Sequence, residues 1–320
     1  MSTMSASIGS STPAFDLVTL GEAMIEFNQT RAGERQFLQG FGGDTSNAAI
    51  AAARAGATCA YLTRLGTDPF GDELMALWHA EGVDTSGIQR DARHPTGVYF
   101  VTHGESGHQF SYLRSNSAAS RMAPQWLEQA PTQGILQSTR MLLVSGISLA
   151  ISASACDTVF AAMTVARAAG AQVALDSNLR LKLWPLERAR ACITHAVSLC
   201  DIFLPSLDDM TVLTGLQEPG EIIDWSHRHG AGTVVLKLGD KGALVSVNGA
   251  RTAVPVFKAN AVDATGAGDC FCGNLLARIA AGDDVAAAAR YANAAASIAV
   301  EGFGAVAPLP RPEQVTLRMG

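Results

Sequence analysis

The chain has 320 residues, 48% of them hydrophobic, and a formal net charge of −6 at pH 7. That length and apolar content support one large domain with a small appendage and exclude a disordered chain. An acidic balance without a basic block excludes nucleic acid or an anionic membrane surface as the main partner, so an anionic substrate needs locally placed Arg or Lys.

Residues 1–14, MSTMSASIGSSTPA, are small and polar. They lack the basic and apolar regions of a secretory signal and are expected to be a disordered N-terminus. From residue 15 onward, short β-rich apolar runs at 15–20, 59–65, 141–145, 172–176, 201–204, 233–238 and 243–247 alternate with helical patterns. NAAIAAARAG (47–56), PFGDELMALWHAEG (69–82), ASACDTVFAAMTVARAAG (153–170) and DDVAAAARYANAAASIAVEG (283–302) are the clearest helices. The alternation predicts an α/β fold with a mostly parallel sheet covered on both faces. No apolar stretch reaches membrane-spanning length.

Two stretches depart from this rhythm. TGVYFVTHGESGHQFSYLR (96–114) reads as a hairpin turning near Gly104–Gly107, and residues 22–41 read as a second hairpin turning near Ala32-Gly33. Their four strands predict a small β-sheet lid, from about 22–41 and 96–118, on a single α/β domain spanning 15–320. The six cysteines (Cys59, Cys156, Cys192, Cys200, Cys270, Cys272) contain no C-x-x-C pair. Reduced, mostly buried thiols in a cytoplasmic protein are expected, with no metal on them.

The chemistry concentrates in VDATGAGDCFCGN (262–274). It follows a strand-like run, TAVPVF (252–257), and precedes an apolar helix pattern at Phe271, Leu275, Leu276 and Ile279. Gly266-Ala267-Gly268 therefore falls at a helix N-terminus, where unpaired amides and the helix dipole favour an anion and small residues let it touch the backbone. Asp269 then stands beside a phosphate cradle. A carboxylate there can take the proton of a hydroxyl attacking a γ-phosphate; an acid that merely favours the dipole accounts for the same position. A dinucleotide fingerprint fails because Phe271 stands where its third glycine belongs, and no P-loop motif occurs.

GFGGDTSNAAIAAARAG (40–56) is a second glycine-rich helix start. Gly42 and Gly43 allow close backbone approach, while Asp44 and Asn47 offer an acceptor and an amide to sugar hydroxyls. A tight turn with helix caps from Asp44, Thr45 or Ser46 accounts for the cluster equally well.

Together the two clusters resemble the signatures of the ribokinase-like (PfkB) family of carbohydrate kinases. The first stands as Gly42-Gly43-Asp44-Thr45-Ser46-Asn47, then Gly56 and Gly66; the second is Asp263-Ala264-Thr265-Gly266-Ala267-Gly268-Asp269. Their order and separation agree, and the likeness runs from about Phe15 to Pro310. Within the family, GEAMIE (21–26), GFGGDTSN (40–47), LGTDPFG (65–71), WHAEGVDTS (78–86), SGISLAI (145–151) and LDDM (207–210) are similar to members acting on keto-deoxy sugar acids.

The resemblance implies a ribokinase-like fold and an ATP-dependent sugar-acid kinase, with Asp269 as general base and the Gly266, Ala267 and Gly268 turn as anion hole. It implies a substrate held by Gly42, Gly43, Asp44 and Asn47, by the lid residues Tyr99, Tyr112 and Arg114, and by Arg180. The acidity of the chain agrees independently, because a guanidinium grips a carboxylate in a planar, bidentate way. On the ATP side the resemblance implies Lys237, Gly239, Gly242, Thr265 and Asn293, with a monovalent cation such as K⁺ near Gly304. Where relatives carry Asn-x-x-Glu, this chain has Ser206-Leu207-Asp208-Asp209. Mg²⁺ is then expected mainly on nucleotide phosphates and water, with Asp209 reaching it through water.

His227 and His229 flank Arg228 near a helix end, and His103 and His108 border the lid hairpin. None sits in a nucleophile setting, so no catalytic histidine is expected. The implied reaction is phosphorylation of the terminal hydroxyl of 2-keto-3-deoxygluconate. A fructokinase or other sugar kinase is the alternative, and a non-catalytic sugar-sensing protein a third. A homodimer through the lid sheet is expected, since one chain leaves that sheet's edges and face uncovered.

Overall fold

The structure is a computed structural model that describes residues 13–104 and 107–320. Most of the expected disordered N-terminus, residues 1–12, lies outside the described residues. The strands in chain order are β1 (Phe15–Leu20), β2 (Met24–Gln29), β3 (Phe37–Gly42), β4 (Cys59–Leu62), β5 (Arg64–Gly66), β6 (Val83–Asp84), β7 (Gln89–Asp91), β8 (Gly97–Gly104) and β9 (Gly107–Leu113). They continue as β10 (Thr139–Ser145), β11 (Gln172–Asp176), β12 (Ile202–Leu204), β13 (Thr233–Lys237), β14 (Ala243–Val247) and β15 (Ala250–Val254).

Nine of them form one sheet in the order β15-β14-β13-β12-β11-β10-β1-β4-β6. Pairing is parallel from β6 through β13 and antiparallel only for β14 and β15. Successive strand residues enter two different cores. Leu17, Met141 and Ala174 pack under the helices Asp44–Arg54, Ala267–Ala280 and Val285–Ala299 on one face. Val18, Leu142 and Val173 pack under Ala153–Ala168, Leu186–Leu199 and Pro219–Arg228 on the other. Both faces are covered, which is why these strands read as continuous apolar runs instead of alternating ones.

The four strands that broke the rhythm form their own sheet, in the order β3-β2-β8-β9. Each hairpin is antiparallel, and the two are joined by a parallel β2–β8 pairing. One face of this sheet gathers Met24, Tyr99 and Val101 with Phe110 and Tyr112.

Two runs end differently from their sequence pattern. The run 59–65 divides: β4 joins the large sheet, while β5 pairs with β7 in a separate two-stranded sheet. At the break, the Thr63 hydroxyl donates to Gly21 O at 2.7 Å, so the chain turns from one sheet to the other. The run 252–257 stops at Val254, because Pro255 has no N–H to continue a ladder. No helix is long and apolar enough to cross a membrane among the described residues. All six cysteines are free thiols.

Candidate active site

In the large sheet, β1 runs on to β4 and β6 on one side, while β10 to β13 follow on the other. At such a switch in strand order, the carboxyl ends of neighbouring strands leave a crevice. Here it is a cleft of about 1000 Å³, walled by Glu22 after β1, Ile147 after β10, Asn178 and Arg180 after β11, and Asp209 after β12. The small sheet closes it from above with Met24, Tyr99, Phe110 and Tyr112.

The cleft wall includes the start of the helix Ala267–Ala280, with Gly266 as N-cap in the left-handed region at φ 74°. A Cβ at Gly266 would fall 2.9 Å from the Ala305 methyl, so the protein's own packing forbids a side chain there. Gly268 is different: a Cβ would find only Lys237 Nζ, 3.9 Å away, and would project into open cleft. The Ala267 N–H donates to Ala264 O and the Cys270 N–H to Gly266 O. Among the described residues, none accepts from the amides of Gly268 and Asp269 between them. Free amides, a helix dipole and an uncovered backbone make this an anion site.

Asp269 stands in the first turn of the same helix, and its Oδ2 accepts a 2.8 Å hydrogen bond from Asn47 Nδ2. Burial pushes its carboxyl up to about 7; the charges of Asp44 and Asp176 add to the rise, while the Asn47 bond and Lys237 oppose it. A carboxylate poised near neutrality, beside an anion site, suits a general base. The helix pair explains its place. Gly273 lets Ala267–Ala280 lie directly against Asp44–Arg54, since a Cβ there would fall 2.2 Å from Ala48 O.

Asp44 opens the helix Asp44–Arg54 but does not cap it. The cap is Gly43, at φ 114°, and no side chain bonds there. Asp44 Oδ2 instead accepts from Asn178 Nδ2 at 2.9 Å, and burial raises its carboxyl above the usual range. The remaining oxygens, Asp44 Oδ1 and Asn47 Oδ1, are buried without a partner. Both residues line the cleft, so a hydroxylated ligand would satisfy atoms that the protein leaves wanting. Gly43 lines the cleft too. Gly42 does not; it is bare because a Cβ would collide with the Tyr99 hydroxyl and ring edge at 2.3 to 2.8 Å.

Overhead, the Tyr99 hydroxyl is committed to Glu26 Oε2 at 2.5 Å, so this residue offers the cleft its ring. Burial and the Glu26 charge hold its phenol above the usual range. Tyr112 is half-buried; burial raises its phenol too, against the charges of Arg180 and Arg114. Arg114 forms an ion pair with Glu22. Arg180 is exposed and donates to Leu179 O at 2.8 Å.

At the opposite end, Lys237, Gly239 and Thr265 line the cleft. Lys237 Nζ lies 2.7 Å from Asp176 Oδ1. Burial would lower its pKa, but the Asp176 carboxylate outweighs that and raises it. Ala267, Gly242 and Asn293 are not part of the wall. Gly242 is bare because the backbone at Val254 O would sit 2.2 Å from a Cβ. Asn293 is buried and donates its amide to Val254 O and Pro255 O, pinning the end of β15. The Gly304 N–H donates to Asp263 Oδ2 at 2.9 Å, which ties the 302–306 loop to the second glycine motif.

Asp209 faces the cleft from the helix Leu207–Thr214, capped by Ser206. Its Oδ2 accepts from the Ser177 hydroxyl at 2.6 Å and from Leu179 N at 3.2 Å, holding the loop that carries Arg180. No group of three or more His, Cys, Asp or Glu able to hold a metal occurs among the described residues. Asp209 Oδ1 takes part in neither the Ser177 nor the Leu179 bond, which fits a water-mediated contact to Mg²⁺ carried on nucleotide phosphates.

His227 bridges Ala231 O and the Ser246 hydroxyl, and His229 stacks on Trp225. Sequence reasoning passed over Glu22, Glu26, Asp176 and Asn178. For the last two the signal was present, since Asp-Ser-Asn closes a strand at the ligand-binding edge. Nothing in a string of letters signals that Glu22 and Glu26 are buried.

The chain matches the family model described as pfkB family carbohydrate kinase over residues 14–312. It is 35% identical over 307 residues to the 2-dehydro-3-deoxygluconokinase of Dickeya dadantii (strain 3937), covering 92% of this chain and 97% of that one. Against the enzyme of that name from Escherichia coli (strain K12) it is 33% identical over 305 residues, with 91% and 97% covered. Fructokinase-1 of Zea mays matches at 32% over 315 residues, with 93% and 96% covered. The crystal structure of a putative ribokinase II from E. coli in complex with ATP and Mg²⁺ superposes with a TM-score of 0.87 at 26% identity, covering 95% of this chain and 98% of that one. With both glycine motifs meeting in one cleft and the match running nearly end to end, the chain belongs to the pfkB family of carbohydrate kinases.

Proposed function

We propose that this kinase transfers the γ-phosphoryl group of ATP to the terminal hydroxyl of 2-keto-3-deoxygluconate (2-dehydro-3-deoxygluconate), giving the 6-phosphate. The observation that carries the reading is one cleft lined by the Asp269 carboxylate, the unpaired Gly268 and Asp269 amides beside it, and Arg114 and Arg180. The relatives named 2-dehydro-3-deoxygluconokinase support the same substrate.

Asp269 takes the hydroxyl proton as that oxygen bonds to phosphorus and the bond to the ADP oxygen breaks. The amides of Gly268 and Asp269 stabilise the charge on the transferring group. Asp44, Asn47 and the Gly43 turn bind the sugar hydroxyls, and the Tyr99 and Tyr112 rings hold its carbon face. Arg180 and Arg114 receive the carboxylate, while Lys237, Gly239 and Thr265 take the nucleotide phosphates. Asp209 would reach a nucleotide-bound Mg²⁺ through water, and that ion would supply charge neutralisation on the phosphates. A monovalent cation such as K⁺ belongs at the 302–306 loop, whose Gly304 amide is fixed by Asp263.

The small sheet acts as a lid that excludes water. Its edge strands β3 and β9 carry Leu38 and Leu113, 69% and 65% exposed, which suits pairing of two lids in a homodimer. Light scattering that returned a stable monomer would refute that pairing. A cytoplasmic setting fits the free thiols.

A coupled ADP-release assay over keto-deoxy acids, ketohexoses, ribose and nucleosides tests the substrate. A dominant 2-keto-3-deoxygluconate activity is expected. A fructokinase is the second reading, favoured by the Zea mays relative; preference for fructose that survives Arg180→Ala would establish it.

A further inference from the structure

The two arginines of the sugar end are not equivalent. Arg114, next after β9, has a side chain only 9% exposed, and its Nη2 rests against Oε2 of Glu22, whose side chain is 1% exposed. The contact is a buried ion pair whose two atoms are not aligned as a hydrogen bond. The other Glu22 oxygen accepts from the Ser117 hydroxyl, which fixes the carboxylate. Gly97 on β8 leaves room for the pair, since a Cβ there would fall 2.9 Å from Glu22 Oε1 and 3.5 Å from Arg114 Cβ. Arg180, by contrast, is exposed, bonds to its neighbour's carbonyl, and has no carboxylate within ion-pair distance among the described residues. Arg114, Arg180 and Tyr112 line the same cleft, and both guanidinium charges oppose the rise of the Tyr112 phenol.

We propose that Glu22 is a specificity-determining positioning residue: it cancels the charge of Arg114 in the free enzyme, leaving Arg180 as the arginine whose net charge attracts an acidic substrate. Arg114 then contributes directed N–H donors without a second uncompensated charge. This rests on the sugar-acid reading above. Physically, a nearly buried guanidinium without its counter-ion is costly. If Glu22 loses its charge, the substrate carboxylate becomes that counter-ion, and acids gain affinity where neutral sugars do not.

The test compares wild type, Glu22→Gln, Arg180→Ala and the double variant, with kcat and KM for 2-keto-3-deoxygluconate and for fructose. The Tm shift on adding 2-keto-3-deoxygluconate without ATP is recorded for each. Glutamine keeps the size of Glu22 and an oxygen for Ser117. In Glu22→Gln the KM for the acid is expected to fall by roughly five- to tenfold, with fructose unchanged and a larger acid-induced Tm shift than in wild type. Arg180→Ala weakens acid binding, and adding Glu22→Gln restores part of it. Should Glu22→Gln not fold, Glu22→Asp, which withdraws the same charge by one methylene, is expected to shift acid binding in the same direction by less.

Equal changes for acid and fructose, or weaker acid binding in the Glu22 variants, overturn the proposal and mark Glu22 as a packing residue. A wild-type preference for fructose defeats the substrate assignment by itself. In that event the acid-induced Tm shift of Glu22→Gln against wild type still decides the role of Glu22.

Discussion

Asn47 and Asp269 stand 222 residues apart in the chain and 2.8 Å apart in the fold, amide to carboxylate. The bond joins the two glycine-led helices, and it holds one oxygen of Asp269 while leaving the carboxylate facing the cleft. Asn47 donates to the charged form of a group that burial drives toward the neutral one.

Asp269→Asn keeps size and polarity and removes the base. Turnover is expected to fall by about 10²–10⁴, with the KM values for ATP and sugar acid little changed. Steady-state kinetics on the variant check this, and near-normal kcat refutes the assignment.

The same carboxylate sets a pH dependence. Only the ionised form accepts a proton, so kcat/KM is expected to fall as pH drops through about 7. Stability runs the other way. The folded-state pKa lies above the unfolded value, so the contribution of Asp269 is present at pH 4 and lost as pH rises from about 4 to 7. Asp269→Asn is therefore expected to raise Tm by a few degrees at pH 8 and to give no gain at pH 4. Thermal melts at the two pH values decide it.

Asn47→Ala removes the donor that favours the carboxylate. The acidic limb of the pH–rate profile is expected to move upward by ~1 unit, a shift that a purely structural loss would not produce. A profile lowered uniformly without displacement contradicts this role.

Gly268 and Gly266 predict opposite outcomes. Alanine at 268 meets nothing but Lys237 Nζ at 3.9 Å, so Gly268→Ala is expected to keep or raise Tm while impairing phosphate binding and kcat. Alanine at 266 must adopt φ 74° against Ala305, so Gly266→Ala is expected to lower stability itself. Melts and ATP titrations on both variants separate the two.

Gly273→Ala places a methyl 2.2 Å from Ala48 O, and the two helices must part. A loss of about 1–3 kcal/mol is expected. Because the Asn47–Asp269 bond spans the same interface, kcat should fall even at temperatures where the variant is folded. Full kcat in a destabilised Gly273→Ala would show that the bond survives the separation.

Much of the architecture was legible because it is written in local patterns. Residues 172–176 and 243–247 are strands with those bounds, and the hairpins outside the helix–strand rhythm do form a separate sheet. The run 59–65 was misread because both of its halves are extended, and only strand pairing distinguishes the two sheets they join. In the site, Asp44, Asn47, Arg180 and Asp269 share one cleft, whereas Asn293 pins a strand end and Gly42 accommodates the Tyr99 ring. A letter at a motif position carries residue type, and residue type does not say which way the chain turns it.

From the string of residues alone came the α/β alternation, two glycine-led helix starts and the family they resemble, since period, turn chemistry and helix capping act over a few neighbours. Tertiary structure alone decided that Asn47 holds Asp269, that Glu22 pairs with Arg114 and that Asp209 secures the loop bearing Arg180. Those relationships depend on burial and on electrostatics across segments far apart in sequence. Both exist only once the sheet has brought its strand ends to a common edge.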